Sequence, residues 1–272
     1  MQQKFITFIG GGNMAQAIVF GLLKQGYPAE KITVSDPNEE KRALFAQHKV
    51  NTTENNVQAL QGAEAVVLAV KPQSLSQVCQ GLSAVDFSDK LVISIAAAIS
   101  VEKLTALLPS ARHIIRVMPN TPVLVSEGMA GLFAPQNTPA DLKNFAEDLM
   151  NAVGKSCWVK DEAEMHLITA GSGSSPAYFF FFMEVMENSL KALGLDSQTA
   201  RMLVQQSTLG AAKMAIEQPD VPLSTLRENV TSKGGTTAAA LAVFQQQHFA
   251  QTVNQAIASC VERSQEMETL FE

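Results

Sequence analysis

The fold of the first half is decided by Phe5-Ile-Thr-Phe-Ile9 and the run that follows it at once, Gly10-Gly-Gly-Asn-Met-Ala15. The first run is apolar and rich in β-forming residues, which predicts a short buried strand. Beyond the glycines, Ala17, Ile18 and Leu22 recur at helical spacing. Strand, glycine turn and helix in this order form the G-x-G-x-x-A version of a dinucleotide-binding turn.

Each small residue of this turn has a predicted role. Gly10 makes the tight turn, Gly12 lets a pyrophosphate approach the backbone, and Ala15 lets the helix pack closely on the strand. Any tight strand-to-helix turn can imitate a lone glycine fingerprint, but here the flanking strand and helix both favour the dinucleotide site. The candidate cofactor-binding residues of this turn are Ile9, Gly10, Gly11, Gly12, Asn13, Met14 and Ala15.

Composition excludes several function classes. The 272 residues carry a net charge of −6, so no global attraction draws the chain to nucleic acid or to an anionic membrane. The most apolar segment, 177–183, is too short to cross a bilayer. We expect no signal peptide, because only residues 1–4 precede the first predicted strand. Three scattered cysteines (Cys79, Cys157 and Cys260) and four histidines without ligand spacing predict a cytoplasmic protein without a bound metal.

The first half alternates strands and helices, which predicts a mostly parallel, doubly wound sheet, a Rossmann-like fold. The expected strands are Phe5–Ile9, Lys31–Ser35, Ala65–Val70, Leu91–Ile95, Ile114–Met118, Ala130–Phe133 and Lys155–Val159. The expected helices between them include Glu39–Gln47, Leu75–Leu82, Val101–Leu107 and Ala140–Val153.

After Asp161 the strand patterns stop and only helical patterns follow. The expected helices are Glu162–Ala170, Ala177–Leu193, Gln198–Glu217, Leu223–Asn229, Thr236–Gln247 and about 250–270, with Gly171-Ser-Gly-Ser-Ser-Pro176 as a break. We therefore expect a dinucleotide-binding domain over residues 1–160 and an all-helical domain for substrate binding and dimerisation over residues 161–272.

Further cofactor candidates stand at the ends of later strands, where open α/β sheets bind ligands. One group is Ala69, Val70, Lys71 and Pro72, and the other is Ala96 and Ala97 within Ser94-Ile-Ala-Ala97. Small residues there let a ribose or nicotinamide lie against the backbone. For the alanines alone, close packing explains the pattern equally well.

Ser35 and Asp36 end the second strand, and an acid at this place usually accepts a hydrogen bond from the ribose 2′-hydroxyl of NAD. Lys41 and Arg42 follow and are suited to the 2′-phosphate of NADP instead. The two signals conflict. Asp36 is also a good N-cap for the helix that follows.

A second glycine motif lies in the helical half, where Asn229-Val-Thr-Ser-Lys-Gly-Gly-Thr-Thr237 precedes an apolar helical pattern. Adjacent glycines expose backbone N–H groups, three hydroxyls stand beside them, and the helix directs its positive end to the same point. The pattern suits a small anion such as a carboxylate, and an ordinary N-cap is the alternative. The candidate substrate-binding residues are Ser232, Gly234, Gly235, Thr236 and Thr237.

Taken together, these motifs resemble the pyrroline-5-carboxylate reductase family over essentially the whole chain. The matching runs are Gly10–Met14, Ala69–Pro72, Ser94–Ala97, Val117-Met-Pro-Asn-Thr-Pro122, Ser172-Gly-Ser-Ser-Pro-Ala-Tyr178 and Thr231–Thr237. The departures are Lys233 in place of proline, and Ala98 and Ser175 in place of glycine.

The resemblance implies reduction of 1-pyrroline-5-carboxylate to L-proline, the last step of proline biosynthesis. It implies NADPH or NADH as hydride donor, a cofactor contact from Asn56, and a homodimer or larger homo-oligomer formed through the helical domain. The aromatic run Phe179–Phe182 covers every side of its helix, which also favours an oligomer. Hydride addition to an already protonated imine needs little acid catalysis, so Thr237, suited to contact substrate and product, is the catalytic candidate.

Two alternatives remain at this stage. A β-hydroxyacid dehydrogenase would need a catalytic lysine on the helix after 171–176, where Lys191 stands only near the end. A non-catalytic NAD(P)-binding regulator would not need the Gly234–Thr237 anion motif. The position of Lys191 argues against the dehydrogenase, and the presence of the Gly234–Thr237 motif argues against the regulator.

Overall fold

The computed structural model describes residues 2–271 and shows one eight-stranded sheet. Its order is β3-β2-β1-β4-β5-β6-β7-β8, and every neighbouring pair is parallel except β6 and β7. The first six strands have the doubly wound order that reverses between β1 and β4, so the predicted fold class is confirmed. The strands are β1 (Ile6–Ile9), β2 (Ile32–Ser35), β3 (Asn51–Thr53), β4 (Ala65–Leu68), β5 (Leu91–Ser94), β6 (His113–Met118), β7 (Gly128–Phe133) and β8 (Gly154–Trp158).

Seven α-helices accompany the sheet, and they cover both of its faces. Ile18 of α1 and Phe145 of α6 belong to the apolar cluster on one face, whereas Leu75 of α4 and Leu104 of α5 belong to the cluster on the other. The central strands β1, β4 and β5 are buried on both sides and are therefore mostly apolar, with Thr7 and Ser94 as their buried polar residues. The helices are α1 (Asn13–Lys24), α2 (Glu39–Ala46), α3 (Asn56–Ala59), α4 (Pro72–Gln80), α5 (Val101–Leu107), α6 (Ala140–Asn151) and α7 (Met165–Ile168).

The structure differs from the sequence expectation in its smallest elements. The edge strand β3 is three polar residues long, so it has neither an apolar run nor a readable alternation. The helix expected over Glu162–Ala170 is a 3-10 turn at Glu162–Glu164, then α7, then a π-helical turn at Thr169–Gly173. The expected break at 171–176 is thus a π turn with a single bend at Ser174.

Five helices lie within residues 175–271, and their predicted positions agree to within a few residues. They are α8 (Ser175–Ala192), α9 (Ser197–Glu217), α10 (Leu223–Asn229), α11 (Thr236–Gln246) and α12 (Phe249–Phe271). In α8 the proline occupies the second position, where its missing N–H breaks no helical hydrogen bond.

The contacts divide the chain into two compact units. The first unit runs to Pro176 and resumes at Ser259, and the second is Ala177–Ala258. This division differs from a boundary at residues 160 and 161 because the π turn packs on the sheet and the end of α12 bonds to it through Arg116 and Glu268, 2.9 Å apart. The assignment of functions to residues 1–160 and 161–272 stays a prediction.

No helix within residues 2–271 is both long and apolar enough to span a membrane. Over the same residues, no three His, Cys, Asp or Glu side chains gather in a way that would hold a metal ion. The three cysteines are free thiols, and burial raises the pKa of Cys79 to about 11.

Candidate active site

The glycine turn lies at the carboxyl end of β1, next to the point where the strand order reverses. Gly10 has a φ of +104°, and a Cβ there would lie 2.6 Å from the carbonyl oxygen of Ala69. Both constraints require glycine at this position. The Gly10 N–H donates to the Ser35 carbonyl at 2.7 Å, which ties the turn to the end of β2.

Gly12 is the N-cap of α1, and a Cβ on it would have no atom within 4 Å. The helix has no side-chain cap and no acidic residue in its first turn. The first backbone N–H groups of a helix lack intrahelical partners, so those of Asn13, Met14 and Ala15 are available to an anion. Open space above Gly12 and free donors beside it fit a pyrophosphate.

Asp36 braces this turn. Its carboxylate is buried and accepts hydrogen bonds from the Gly11 N–H at 2.8 Å and the Asn38 N–H at 2.9 Å. Lys41 Nζ lies 3.4 Å from Asp36 Oδ2. The N-cap of α2 is Asn38, whose side chain accepts the Lys41 N–H, so the capping interpretation of Asp36 is wrong. A carboxylate used in this way has little free surface for a ribose hydroxyl.

Ser35 and Asn56 form a pair beside the brace. The buried Ser35 hydroxyl donates to Asn56 Oδ1 at 2.6 Å. This hydrogen bond uses the oxygen of the Asn56 amide and leaves its NH₂ group free. This geometry agrees with the cofactor contact that the resemblance implied for Asn56. Arg42 lies nearby, with its guanidinium donating to the carbonyls of Asp36 and Pro37 at 2.7 and 2.9 Å.

The remaining cofactor candidates lie at the same edge of the sheet. Ala69–Pro72 follows β4 and starts α4, and Ala96 and Ala97 follow β5. Because β1, β4 and β5 are parallel neighbours, their carboxyl ends meet at this edge. Ala98 has a φ of +57°, a left-handed conformation that explains why glycine is usual at this position in the family. The sheet thus brings together all the sequence-predicted cofactor residues.

The predicted anion loop lies in the second unit, between α10 and α11. Ser232 and Gly235 close a β-turn, with the Gly235 N–H donating to the Ser232 carbonyl at 3.0 Å. Lys233 and Gly234 are its central residues, and Gly234 has the positive φ, +71°, that a type II turn needs. A Cβ on Gly235 would lie 2.4 Å from Ser232 Oγ, so a larger residue there would displace the Ser232 hydroxyl.

The hydroxyls of this loop do not cap the helix. The N-cap of α11 is Gly235, without a side-chain cap bond, and the first turn has no acidic residue. Within residues 2–271, no intramolecular hydrogen bond engages the side chains of Ser232, Thr236 or Thr237. These hydroxyls are exposed, and together with the first N–H groups of α11 they form a set of free donors. The capping interpretation is therefore wrong, and the anion site stays a prediction.

Lys191, the lysine that a β-hydroxyacid dehydrogenase would require to be catalytic, is paired. Its Nζ lies 3.1 Å from Glu187 Oε1, and Arg201 binds the other oxygen of that carboxylate at 3.0 Å. Hydrogen bonds from Arg201 and then Lys191 hold the pKa of Glu187 below its usual range. Lys191 therefore forms part of a surface ion-pair group.

Sequence reasoning assigned no role to a buried polar group at the cofactor edge of the sheet. Its members are Asn120 after β6 and Ser172 in the π turn, which hydrogen-bond to one another and to Met129. The runs containing Asn120 and Ser172 were visible as motifs, but only the fold places them side by side.

A Rossmann-like sheet with an uncapped glycine turn, followed by a helical region, is the architecture of many dinucleotide-dependent oxidoreductases. Comparison with protein families agrees. Residues 5–98 match the family of NADP oxidoreductases, coenzyme F420-dependent, and residues 162–267 match the pyrroline-5-carboxylate reductase dimerisation family.

Individual relatives narrow the class. The chain is 67% identical over 271 residues to a pyrroline-5-carboxylate reductase of Haemophilus influenzae, with 100% of both chains covered. The solved structure of a pyrroline-5-carboxylate reductase from Coxiella burnetii has a TM-score of 0.92 and 40% identity, over 98% of this chain and 99% of that one. A Plasmodium falciparum pyrroline carboxylate reductase with NADP bound has a TM-score of 0.87 and 29% identity, over 98% and 99% of the two chains.

The chain belongs to the pyrroline-5-carboxylate reductase family. Its members are oxidoreductases that reduce 1-pyrroline-5-carboxylate to L-proline with NAD(P)H, the last step of proline biosynthesis. The predicted family, reaction and cofactor class are confirmed, and both alternatives from the sequence are excluded. The match to the dimerisation family also confirms a homo-oligomer.

Proposed function

We propose that the sheet edge around Gly12 holds NADPH in preference to NADH, and that the loop Ser232–Thr237 binds the carboxylate of 1-pyrroline-5-carboxylate. The main support for this proposal is that the two proposed sites have the same local geometry. Gly12 and Gly235 are both uncapped helix starts, both lack acids in the first turn, and both offer free N–H groups to an anion.

On the cofactor side, the pyrophosphate lies over Gly12 and receives hydrogen bonds from the N–H groups of Asn13 and Met14. Asn56 contacts the adenosine ribose with the amide end that Ser35 leaves free. Ala69–Pro72 and Ala96–Ala97 border the nicotinamide half, because they follow β4 and β5 on the other side of the strand-order reversal.

The preference for NADPH follows from the state of Asp36. Its carboxylate is buried and engaged by Gly11, Asn38 and Lys41, so it cannot turn freely to a ribose 2′-hydroxyl. The Lys41 side chain is 43% exposed and is near enough to the end of β2 to meet a 2′-phosphate. Arg42 adds a second positive charge at this place.

On the substrate side, the hydroxyls of Ser232, Thr236 and Thr237 and the N–H groups at the start of α11 donate to the carboxylate. A preorganised set of donors holds the ring in one orientation without having to rearrange. Lys233 stands where the family usually has proline and contributes a mobile positive charge to an already electropositive loop.

The bound cofactor supplies a hydride to the imine carbon of the substrate. In the iminium form the ring nitrogen already carries its proton, so the amine product forms without a protein acid. The residues of this chain therefore orient and stabilise, and Thr237 acts by holding the carboxylate of both substrate and product. This role agrees with a loop that has hydroxyls and amides but no histidine.

We also propose that the homo-oligomer is built from dimers through the helical unit and that the protein works in the cytoplasm. The supporting features are the exposed aromatic run Phe179–Phe182 and the three free thiols, which are usual in a reducing compartment.

The proposal is tested by measuring oxidation of NADPH and NADH in the presence of 1-pyrroline-5-carboxylate, with L-proline quantified as product. We expect stoichiometric L-proline and a higher kcat/KM with NADPH. Equal kcat/KM values for both cofactors would contradict the proposed preference, and an absence of L-proline would contradict the substrate assignment.

A further inference from the structure

Asn120 is a buried asparagine at the carboxyl end of β6, and its whole side-chain amide is engaged inside the protein. It is 7% exposed, and Ser172, its partner in the π turn, is 9% exposed. Asparagine is seldom buried so deeply unless its amide is satisfied, because an unpaired amide is costly to bury. The pair therefore needs an explanation beyond filling space.

The local backbone explains why an asparagine stands here. β6 and β7 pair antiparallel up to Met118 and Gly131, and continuing that register would set Asn120 opposite Met129. Pro119 comes between and has no N–H to continue the ladder. The Asn120 side chain continues the pairing in place of the backbone, because Asn120 Oδ1 accepts a hydrogen bond from the Met129 N–H at 2.9 Å.

The same amide reaches the π turn. Asn120 Nδ2 donates to the carbonyl and the hydroxyl oxygen of Ser172, both at 3.3 Å, and the Ser172 hydroxyl donates to the Met129 carbonyl at 3.1 Å. Asn120, Ser172 and Met129 thus close a ring of hydrogen bonds, which we name the Asn120 clamp. Because the clamp engages both ends of this buried amide, we expect Asn120 to act through its protein partners.

The π turn lies against Met118. A Cβ on Gly173 would lie 2.4 Å from Met118 Cε, so a larger residue there would displace the end of the Met118 side chain. Met118 itself is only partly buried. Single π turns within helical segments often occur at functional sites.

This region lies at the cofactor edge of the sheet. β6 is parallel to β5, β5 to β4 and β4 to β1, so the carboxyl end of β6 shares its edge with Gly12, Ala69 and Ala97. The adenosine half of a dinucleotide extends from the β1 turn over β2, and the nicotinamide half extends the other way, over β4 and β5 toward β6. Met118 and Gly173 would therefore border the reacting end of a cofactor held as proposed above.

We propose that Asn120 is a positioning residue for hydride transfer: through Ser172 it fixes Met118 and the π turn as a rigid wall beside the nicotinamide. This inference rests on the proposed cofactor placement. The wall supplies little of the total binding energy, because the pyrophosphate and adenosine are held elsewhere on the sheet. Its effect falls on the orientation of the ring, to which the rate of hydride transfer is sensitive.

The test uses the full-length enzyme and two variants, Ser172→Ala and Asn120→Ala. Ser172→Ala removes a single hydroxyl and is the milder change. The matched control is Ser110→Ala, because the Ser110 hydroxyl also bridges backbone groups, accepting from Phe87 at 3.0 Å and donating to Val85 at 3.5 Å, but precedes β6 at the opposite edge. Three quantities are measured: Kd for NADPH, the single-turnover rate, and the kinetic isotope effect with NADPH deuterated at the transferred position.

We expect both clamp variants to lower the single-turnover rate by about 10- to 100-fold and to raise the isotope effect, with Kd for NADPH nearly unchanged. Ser110→Ala should keep the wild-type rate. If Ser172→Ala lowers Tm but has the rate and isotope effect of wild type, the clamp is only structural and the inference is overturned. A wild-type enzyme that fails to bind NADPH would instead overturn the proposed function together with this inference.

Discussion

The two compact units differ in where their large apolar side chains lie. In the first unit Phe8, Phe45 and Phe145 are completely buried between sheet and helices. In the second unit Phe180 and Phe181 are 62% and 67% exposed, and only Ala200 and Val204 are buried in the whole stretch 177–258. The first unit has its own core, whereas the second exposes apolar surface, which we propose that a further copy of the chain covers.

The same difference separates the two candidate binding loops. The glycine turn at Gly12 is braced by the buried Asp36 and is therefore rigid within one chain. The loop Ser232–Thr237 is exposed and lies in the unit that lacks a core. Cofactor binding should accordingly depend on the local sheet edge, and substrate binding should depend also on assembly.

The largest effect, on the stability of the oligomer, is expected from introducing charges into the apolar surface of the second unit. Phe180→Glu with Phe181→Glu should separate the oligomer, because losing two buried aromatic contacts from each of two copies costs about 6 kcal/mol or more, a factor of about 10⁴ in Kd. Light scattering should then show the single-chain mass of 29.2 kDa. Leu44→Glu, at an exposed leucine of the first unit, should leave the mass of the oligomer unchanged.

In the first unit, Gly12→Val should weaken NADPH binding by about 100-fold or more, because a branched side chain fills the space that the pyrophosphate needs. Tm should stay near that of wild type, since the added Cβ meets no protein atom within 4 Å. Fluorescence titration with NADPH measures the effect, and Gly12→Ala should give an intermediate loss. An unchanged Kd in the valine variant would show that the turn does not hold the pyrophosphate.

The preference for NADPH over NADH should depend on Lys41 and not on Asp36. Lys41→Gln should lower kcat/KM for NADPH by about tenfold, the loss of one hydrogen bond to a charged group, and leave that for NADH unchanged. Asp36→Ser removes the brace at Gly11 and should weaken both cofactors in parallel, so the ratio of the two kcat/KM values stays constant. If the ratio of the two kcat/KM values changes in Asp36→Ser and not in Lys41→Gln, Asp36 accepts a hydrogen bond from the ribose 2′-hydroxyl and the proposed preference is wrong.

The smallest effect is a gain in stability. Ala98→Gly should raise the free energy of unfolding by about 1 kcal/mol, because alanine is strained at a φ of +57°. Ala106→Gly, at an exposed position in α5, should lower it by about the same amount. Denaturant unfolding of both variants checks the pair, and a loss of stability in both would contradict the strain argument.

Much of the first unit could be predicted because its signals are local. The strand Phe5–Ile9 and the glycine turn are contiguous, and the central parallel strands β1, β4 and β5 are mostly apolar runs that need no partner to be recognised. The polar strand Asn51–Thr53 was missed because it gains its structure only by pairing with β2. The brace at Asp36 was misjudged for the same reason, since its partner Gly11 lies 25 residues away in sequence.

The candidate site shows the same limit. The loop Ser232–Thr237 was found from sequence because all its donors are adjacent. The Asn120 clamp was not, because Asn120 and Ser172 are separated by 52 residues and meet only through the antiparallel pairing of β7 with β6. Sequence reveals sites built from one loop more readily than sites that the fold assembles.

The central claim, that the loop of the second unit binds the substrate carboxylate, is tested most directly by Thr237→Ala. We predict that kcat/KM for 1-pyrroline-5-carboxylate falls by about 10- to 100-fold, the loss of a hydrogen bond to a charged group worth about 1.5–3 kcal/mol, while Kd for NADPH and Tm stay near their wild-type values. Thr231→Ala is the control, because the Thr231 hydroxyl already donates to the Arg227 carbonyl at 2.6 Å and is not free for a ligand. Wild-type kcat/KM in Thr237→Ala, with or without a lower Tm, would contradict the account.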